Sequence, residues 1–389
     1  MLMVMSAGMF LCFSTWQALL NNFAIERAAF TGAEIGMLQS IREIPGFLAF
    51  TVIGLLFLMR EQVLALLSLL VMGAGVAVTG YFPSVLGLYV TTLVMSVGFH
   101  YYETLAQSLS LQWLPKAEAP RQMGRIIAAG SAATVVAYGA IFLAWKLLEL
   151  DYSTIYLAGG LMTAAVAAIL LVAFPQFRDG VPQRRKLFLR RRYWLYYALT
   201  FMWGARRQIF IVFAGFLMVE RFGYTVPQIT GLFLATAIFN MVFAGRIGAL
   251  VGKWGERRAL TFEYLGLIVV FTMYAFVQDP WIAAALYLLD HAFFALSIGV
   301  KTYFQKIADP ADIAPTSGVA FTINHIAAVF IPAAFGLIWL ASPAAVFLLG
   351  AAMAGVSLFL SRLIPRDPEA GREVIWSRAA APVVAPAAE

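Results

Sequence analysis

The sequence predicts an all-α membrane protein with about twelve transmembrane helices in two six-helix bundles related by pseudo-two-fold symmetry. Three observations support this fold class. Hydrophobic residues occupy 62% of the 389 positions and charged residues only 12%, which is too apolar for a soluble domain. The apolar residues form about twelve runs near the ~20 residues that a helix needs to cross a bilayer. A basic segment at 175–193 separates the first six runs from the last six.

Each run is continuously apolar, without the alternation over ~10 residues that marks a membrane β-strand. We therefore interpret every run as a helix, because a helix satisfies its own backbone hydrogen bonds in lipid. The predicted boundaries, in chain order, are 2–23, 33–58, 62–80, 84–110, 123–145, 153–174, 194–218, 227–248, 259–278, 281–304, 316–340 and 342–361.

These spans define four regions of the chain. We expect an N-terminal bundle at 1–174, a basic cytoplasmic central loop at 175–193, a C-terminal bundle at 194–361 and a disordered cytoplasmic tail at 362–389. A shift of about 195 residues superposes Ala119-Pro120 on Ala314-Pro315 and aligns the fourth span with the tenth. Parallel six-helix repeats of this kind are a known plan of secondary transporters, with the binding site between the repeats near the midplane.

The net charge of +7 is concentrated in alternate loops, after spans four, six, eight and twelve. By the positive-inside rule these loops and both termini are cytoplasmic, which also requires an even number of spans. We expect a multi-pass protein of the cytoplasmic (inner) membrane, monomeric, with the lipid bilayer and a small-molecule solute as its partners and no nucleic acid. The single Cys12 excludes a disulfide within the chain, and no cofactor is expected.

Ionisable residues are unevenly distributed over the spans. Spans two, four, seven, ten and eleven carry them at bilayer depth, whereas spans three, six and twelve carry none and span nine has only Glu263 near one end. A charge at the bilayer centre costs roughly 2.5–3.5 kcal/mol on insertion scales, so it should face a partner or a wet cavity. The pattern therefore predicts that every third helix faces lipid and that the others face protein or water.

Two repeat-related helices each carry a polar stripe on one face. In span four the stripe contains His100 and Glu103, and in span ten it contains Asp290 and Lys301. Glu103 and Asp290 are the best candidates for protonation coupled to transport. The alternative is that these stripes form hydrogen bonds between helices.

Arg206 and Arg207 lie in the middle of span seven and are candidates for orienting an anionic group of the substrate, because guanidinium forks match carboxylate and phosphate. Gln17, Asn21 and Asn324 are candidate neutral substrate contacts. A structural alternative remains open. Three arginines at bilayer depth balance three acids, and Arg42 and Glu43 are expected to form a structural ion pair within that set.

All three histidines, His100, His291 and His325, lie within predicted spans. Imidazole titrates near physiological pH, so they are candidates for a proton relay with Glu103 and Asp290. Hydrogen-bonded helix contacts and a metal site are the alternatives. No His-x-x-x-His or Glu-x-x-His spacing favours metal, and no metal site is predicted.

The plan of six plus six spans and the basic central loop resemble the major facilitator superfamily over nearly the whole chain. The loop between spans eight and nine adds a local motif, since Gly248, Gly255, Arg257 and Arg258 match the family pattern G-x-x-x-D-x-x-G-x-R-R. Gly252 stands at the aspartate position. The resemblance implies alternating access, a gating role for this loop, and a cavity lined by spans one, four, seven and ten. The polar pattern adds spans two and eleven.

The sequence thus favours a secondary active transporter that moves a small polar or amphiphilic solute, such as an organic anion, coupled to H⁺. Polyspecific efflux of lipophilic compounds is one alternative, and a non-transporting assembly or sensor protein of the same fold is another. No enzyme is expected. The phosphate-binding motif G-x-x-x-x-G-K-[ST] is absent, and the acidic pair Asp309 and Asp312 is too isolated to suggest a metal–diphosphate transferase.

Overall fold

The computed structural model describes residues 1–114, 119–175, 189–309 and 312–377. In this part of the chain, eleven helices are long and apolar enough to cross a membrane. A twelfth segment, the predicted second span, is helical but interrupted. The predicted all-α membrane fold is confirmed.

The N-terminal half contains six helical segments. They are α1 (Leu2–Ala28), α2 (Gly32–Phe47), α3 (Glu61–Thr79), α4 (Val85–Trp113), α5 (Ala119–Leu148) and α6 (Tyr152–Ala173).

The C-terminal half repeats the plan with two interrupted helices, α7 and α10. Its segments are α7 (Trp194–Gln208, Ile209–Ala214 and Gly215–Phe222), α8 (Val226–Trp254), α9 (Glu256–Phe276), α10 (Pro280–Phe294, Ala295–Ser297 and Ile298–Ile307), α11 (Ile313–Ala341) and α12 (Pro343–Arg362). The middle part of α7 is π-helical and that of α10 is a 3₁₀ turn.

The predicted second span, 33–58, is not one helix. A capping box starts α2, in which the Thr31 hydroxyl accepts from the Ala33 N–H and the Glu34 carboxylate accepts from the Thr31 N–H. The helix ends at Phe47, two residues after Pro45, and only short turns of helix follow. Proline removes a backbone donor and crowds the preceding turn, so a break near Pro45 is its expected effect.

Contacts between the halves follow the pseudo-two-fold relation. Helix α2 packs along α11, and α5 packs along α8. These two pairs are equivalent, because α2 and α8 are the second helices of their halves and α5 and α11 are the fifth. Helices α3 and α6 pack on each other within the first half, as α9 and α12 do within the second.

One end of the bundle is closed by contacts between the halves. We call it the closed end; it carries the turns at 29–31, 149–151, 223–225 and 342. A Cβ added to Gly32 would lie 2.1 Å from Cδ1 of Trp339, and one added to Gly36 would lie 2.3 Å from the Pro332 carbonyl oxygen. The Asn22 amide also donates to the Tyr224 carbonyl at 2.6 Å. Glycine permits the close approach of α2 and α11 because it has no side chain.

Part of the predicted C-terminal tail is folded against the C-terminal half. The Tyr303 hydroxyl donates to the Glu373 carbonyl at 2.5 Å, and the Ile375 N–H donates to the Leu363 carbonyl at 3.0 Å. The Trp194 and Trp376 rings stack with their centroids 6.3 Å apart. Residues 378–389 of the tail and 176–188 of the central loop lie outside the described residues.

Because Gly36 contacts backbone, Gly36→Ala should force α2 and α11 apart at the closed end. We expect spin labels at Ala29 and Ala341, measured by double electron–electron resonance, to shift to longer distances in this variant. Gly139→Ala is the matched control, since a Cβ there meets nothing within 4 Å. Identical distance distributions for the two variants would contradict the proposed closure.

Candidate functional site

A cavity of about 290 Å³ lies between the two halves, near the middle of the helices. Helices α1, α2 and α4 of the first half and α7, α8 and α11 of the second contribute its walls. The lining residues are Phe13, Trp16, Gln17, Leu20, Asn21, Gln39, Arg42, Glu43, Phe99, His100, Glu103, Arg207, Ile211, Phe233, Phe321, Asn324 and His325. Among the described residues, α3, α6, α9 and α12 contribute none, as the charge pattern predicts.

Glu43 lies at the centre of the charged groups in this cavity. Its carboxylate accepts a short hydrogen bond from Arg42. Its Oε2 lies 3.8 Å from Nε2 of His100 and 3.7 Å from Nε2 of His325. Glu43 on α2 therefore contacts α4 of its own half and α11 of the other half, and we call Glu43, His100 and His325 the Glu–His cluster.

Local backbone geometry holds both imidazoles in place. A Cβ on Gly46 would lie 2.3 Å from His325 and 2.6 Å from His100, so only glycine lets both rings approach α2. Nδ1 of His100 lies 3.1 Å from the Ser96 carbonyl and Nδ1 of His325 lies 3.0 Å from the Phe321 carbonyl. A carbonyl only accepts, so each Nδ1 carries a proton and each ring presents Nε2 to Glu43.

The Glu–His cluster has the donor set of a transition-metal site, since its three ligand atoms lie within 4.8 Å of one another. Its electrostatic setting opposes a divalent cation. Arg42 already pairs with Glu43, and Arg207 is close enough to interact with the same carboxylate. The positive guanidinium groups therefore disfavour a metal ion between these three ligand atoms.

Arg207 and Glu103 both face the cavity. Neither forms an ion pair in the part of the chain that the structure describes, although each acts electrostatically on the other. The guanidinium carbon of Arg207 lies 5.1 Å from the centre of the Trp203 ring. Gln17, Asn21 and Asn324 line the same cavity, so these five predicted site residues are brought together.

Arg206 does not reach the cavity. It is completely buried inside the C-terminal half, with a guanidinium nitrogen 3.6 Å from Oε1 of the equally buried Glu263 and its guanidinium carbon 4.6 Å from the Tyr264 ring centre. Asp290 is 2% exposed and interacts electrostatically with Arg206. Adjacent residues project ~100° apart on a helix, so Arg206 and Arg207 face different neighbours.

The predicted stripe on α10 does not line the cavity. Asp290 faces Arg206, and His291 packs against Phe210 and Tyr287 with its Nδ1 3.0 Å from the Tyr287 carbonyl. A 3₁₀ turn at Ala295–Ser297 interrupts the helix below them. Each residue of such a turn rotates by about 20° more than in an α-helix, which moves the later stripe positions to another face.

The predicted gating loop forms a separate cavity at the end opposite the closed end. Gly255, Arg257 and Arg258 line this second cavity of about 470 Å³, together with Gly252. A Cβ on Gly248 meets nothing within 4 Å.

The polar pattern does not indicate the aromatic residues of the main cavity or the amide Gln39. Phe13, Phe99, Phe233, Phe321 and Gln39 are ordinary residues of apolar spans, and none of them carries a charge. Phe13, Phe99 and Phe321 each lie within about one helical turn of a polar cavity residue, which is a usable signal, whereas α8 contributes Phe233 without such a neighbour.

The fold and the mid-membrane cavity between two repeats define a multi-pass membrane transporter. A solved structure of the nucleoside transporter NupG is similar, with a TM-score of 0.73 and 16% identity, over 92% of this chain and 97% of that chain. A bacterial homologue of the human lysosomal transporter Spinster, inward-facing and occupied, has a TM-score of 0.72 and 13% identity, over 92% of this chain and 93% of that chain. The same homologue, inward-facing and unoccupied, has a TM-score of 0.68.

The family model of the Major Facilitator Superfamily matches residues 1–332. No curated protein sequence is significantly similar to the chain. The chain belongs to the Major Facilitator Superfamily, and it is a transporter rather than an enzyme.

The buried position of Glu263 predicts a large difference between two carboxylate-to-amide substitutions. Glu263→Gln leaves Arg206 charged and unpaired, and the loss of one partner of a buried ion pair costs about 3–5 kcal/mol. Glu103→Gln removes a carboxylate that faces the cavity and should change the unfolding temperature little. Equal unfolding temperatures for the two purified variants would contradict a structural role for Arg206 and Glu263.

Proposed function

We propose that the protein is a proton-coupled secondary transporter of a small organic anion that also carries a ring or another flat apolar group. The observation that supports this proposal most strongly is that the Arg207 guanidinium faces the cavity and forms no ion pair with the described residues. The substrate binds between the two halves, and the halves rock about it so that the cavity opens to one side at a time.

The anionic group is recognised by Arg207. A guanidinium group pairs with carboxylate or phosphate through two parallel hydrogen bonds. Glu43 and Glu103 act on Arg207 without forming an ion pair with it among the described residues, so an anion that pairs directly with Arg207 lowers the cost of its charge in this cavity of about 290 Å³. The neutral contacts Gln17, Asn21 and Asn324 surround this position and supply donors and acceptors for the remaining polar atoms of the solute.

The apolar part of the solute is recognised by aromatic rings. Phe13, Phe99, Phe233 and Phe321 line the cavity from four helices, and the Phe13 and Phe99 rings stack at 5.0 Å. A flat ring between such side chains gains apolar contact area and favourable ring geometry. The similarity in fold to a nucleoside transporter agrees with a flat ring in the solute.

The proton is carried by the Glu–His cluster, with Glu103 as a second acceptor in the cavity. With both Nδ1 atoms protonated, the two Nε2 lone pairs and the Glu43 carboxylate are three acceptors that face one another. One added proton converts this repulsion into a hydrogen bond between opposite charges. Arg42 and Arg207 act on the same carboxylate, so an arriving anion at Arg207 changes the stability of the proton on the cluster.

The side of the membrane from which the solute enters the cavity is the side opposite the closed end. We propose that this end faces away from the cytoplasm, as the positive-inside rule indicates, and that the described state opens to the cytoplasm. The similarity to two inward-facing structures supports this assignment. Polyspecific efflux of lipophilic compounds is less favoured, because Arg207 and Glu103 place unpaired charges in a small cavity.

The proposal is tested with purified protein in proteoliposomes that carry a pH-sensitive dye. Addition of the transported anion should produce proton movement with the wild-type protein. Arg207→Ala should abolish anion-dependent proton movement, because it removes the one cavity guanidinium that has no ion pair among the described residues, and the anion then lacks a positive partner. His325→Gln removes one acceptor of the Glu–His cluster and should also abolish anion-dependent proton movement. His291 lies outside the cavity, so His291→Gln is the matched control and should retain transport.

The anion for this assay is identified by a screen. The unfolding temperature of the purified protein is measured with metabolite anions, with cations and with lipophilic drugs. A ligand that binds only the folded state stabilises it by RT ln(1 + [L]/Kd), so the shift rises with concentration. Organic anions should stabilise the wild-type protein and not Arg207→Ala. Stabilisation by lipophilic cations alone, unchanged in Arg207→Ala, would contradict the proposed substrate class.

A further inference from the structure

The second cavity is lined by more positive than negative side chains among the described residues. We call it the basic pocket; Lys253, Arg257, Arg258, Arg362 and Arg366 line it at the meeting point of α8, α9 and α12. Its sixth cation, Lys306, pairs with Glu256 at 2.8 Å. Within the described ranges the other five form no ion pair, and Asp367 is the only acid in the lining.

This cluster is open and has room for a ligand. Its volume is about 470 Å³, and Arg257 lies close enough to Arg362 and Arg366 for the three guanidinium groups to repel one another. Like charges that surround a cavity lower their mutual repulsion when they share an anion. The adjacent start of α9 has no side-chain cap, so its first N–H groups add to the positive potential.

Gly252 leaves the pocket with one acid fewer than the family pattern of this loop would give it. It lines the pocket at the position where that pattern has aspartate, and a Cβ there meets nothing within 4 Å. The start of a side chain at this position would therefore enter open space. An anion from outside the chain can take the corresponding place.

The position of the pocket indicates the source of that anion. Arg362 ends α12, the last membrane span, and Trp254, which is 36% exposed, ends α8 beside the pocket. Tryptophan is enriched where a membrane meets water, at the level of the lipid headgroups. Basic pockets between helices at this level bind phosphate-bearing headgroups.

We propose that the basic pocket binds the phosphate of an anionic phospholipid headgroup. The lipid phosphate contacts Arg257 and Arg362 and replaces the missing carboxylate at Gly252. The bound lipid would hold α8, α9 and α12 together at the end opposite the closed end. This proposal does not depend on the substrate or on proton coupling.

The test is a titration of phosphatidylglycerol into the purified full-length protein in detergent, with the unfolding temperature as the readout. Phosphatidylglycerol should stabilise the wild-type protein at lower concentrations than phosphatidylcholine does. Gly252→Asp supplies the internal charge and should require about fivefold more phosphatidylglycerol, the effect of about one charge at a membrane surface. Gly252→Asn has the same size without the charge and should match the wild-type protein.

A second pair of variants keeps the test independent of Gly252. Arg362→Gln should weaken the response to phosphatidylglycerol, whereas Arg221→Gln, at the closed end, should leave it unchanged. Equal responses of Gly252→Asp and Gly252→Asn, or of Arg362→Gln and Arg221→Gln, would overturn the proposal. Equal stabilisation by inorganic phosphate or glycerol phosphate at the concentration of the lipid would overturn the lipid source.

Discussion

The contact of Glu43 with two imidazoles from different halves is the interaction on which the central cavity depends. Glu43 lies on α2, His100 on α4 and His325 on α11, and all three side chains are buried. A buried carboxylate is stable only when charge or hydrogen bonds compensate for its lost hydration. Arg42 supplies part of this compensation, and Arg207 also acts on the same carboxylate. Any movement of α11 away from α2 therefore changes the environment of Glu43.

With the Glu–His cluster as the proposed proton carrier, this arrangement links conformation to proton affinity. Alternating access requires the α2–α11 contact to break and reform, because these helices close one end of the cavity. When they separate, Glu43 exchanges His325 for water. In the proposed cycle the carboxylate gains hydration at this step, and the proton of the cluster becomes free to leave. The proposed coupling needs no long chain of residues, since the helix pair α2 and α11 carries both the closure contacts and the contact of Glu43 with His325.

The fold and part of the site could be predicted from the sequence for identifiable reasons. Continuous apolar runs mark spans wherever helices are regular, and the high cost of buried charge marks α2, α4 and α11 as cavity helices. The family resemblance does not point to α2 and α11, which only the charge pattern indicates. Both the resemblance and the charge pattern also point to α10, which contributes no lining residue among the described residues. The 3₁₀ turn of α10 is not visible in the periodicity, and it shifts only the stripe positions that follow it. Asp290 precedes the turn and faces Arg206 because of packing within the C-terminal half, which the helical period does not encode. The π-helical segment of α7 is likewise not visible in the hydrophobic periodicity.

Other features depend on packing that no local pattern encodes. Arg206 and Arg207 are chemically identical neighbours, and only the position of Glu263 on α9 decides which of them is structural. Glu263 lies two turns into α9, because that helix begins at Glu256 rather than at the predicted residue 259. The role of Glu43 also differs from expectation. Its pairing with Arg42 was predicted, but its contact with His325 joins residues about 280 positions apart, and sequence spacing carries no information about such a pair.

Substituted-cysteine accessibility tests most directly whether both halves face one hydrated cavity. Native Cys12 is fully buried, so single cysteines can be introduced beside it. The account predicts that Gln17→Cys in the first half and Asn324→Cys in the second react with a membrane-impermeant maleimide. It predicts that Phe330→Cys, whose native side chain is 68% exposed on the outer surface of α11, is not labelled by that reagent. Equal labelling of all three cysteines, or no labelling of Gln17→Cys and Asn324→Cys, would contradict a shared cavity.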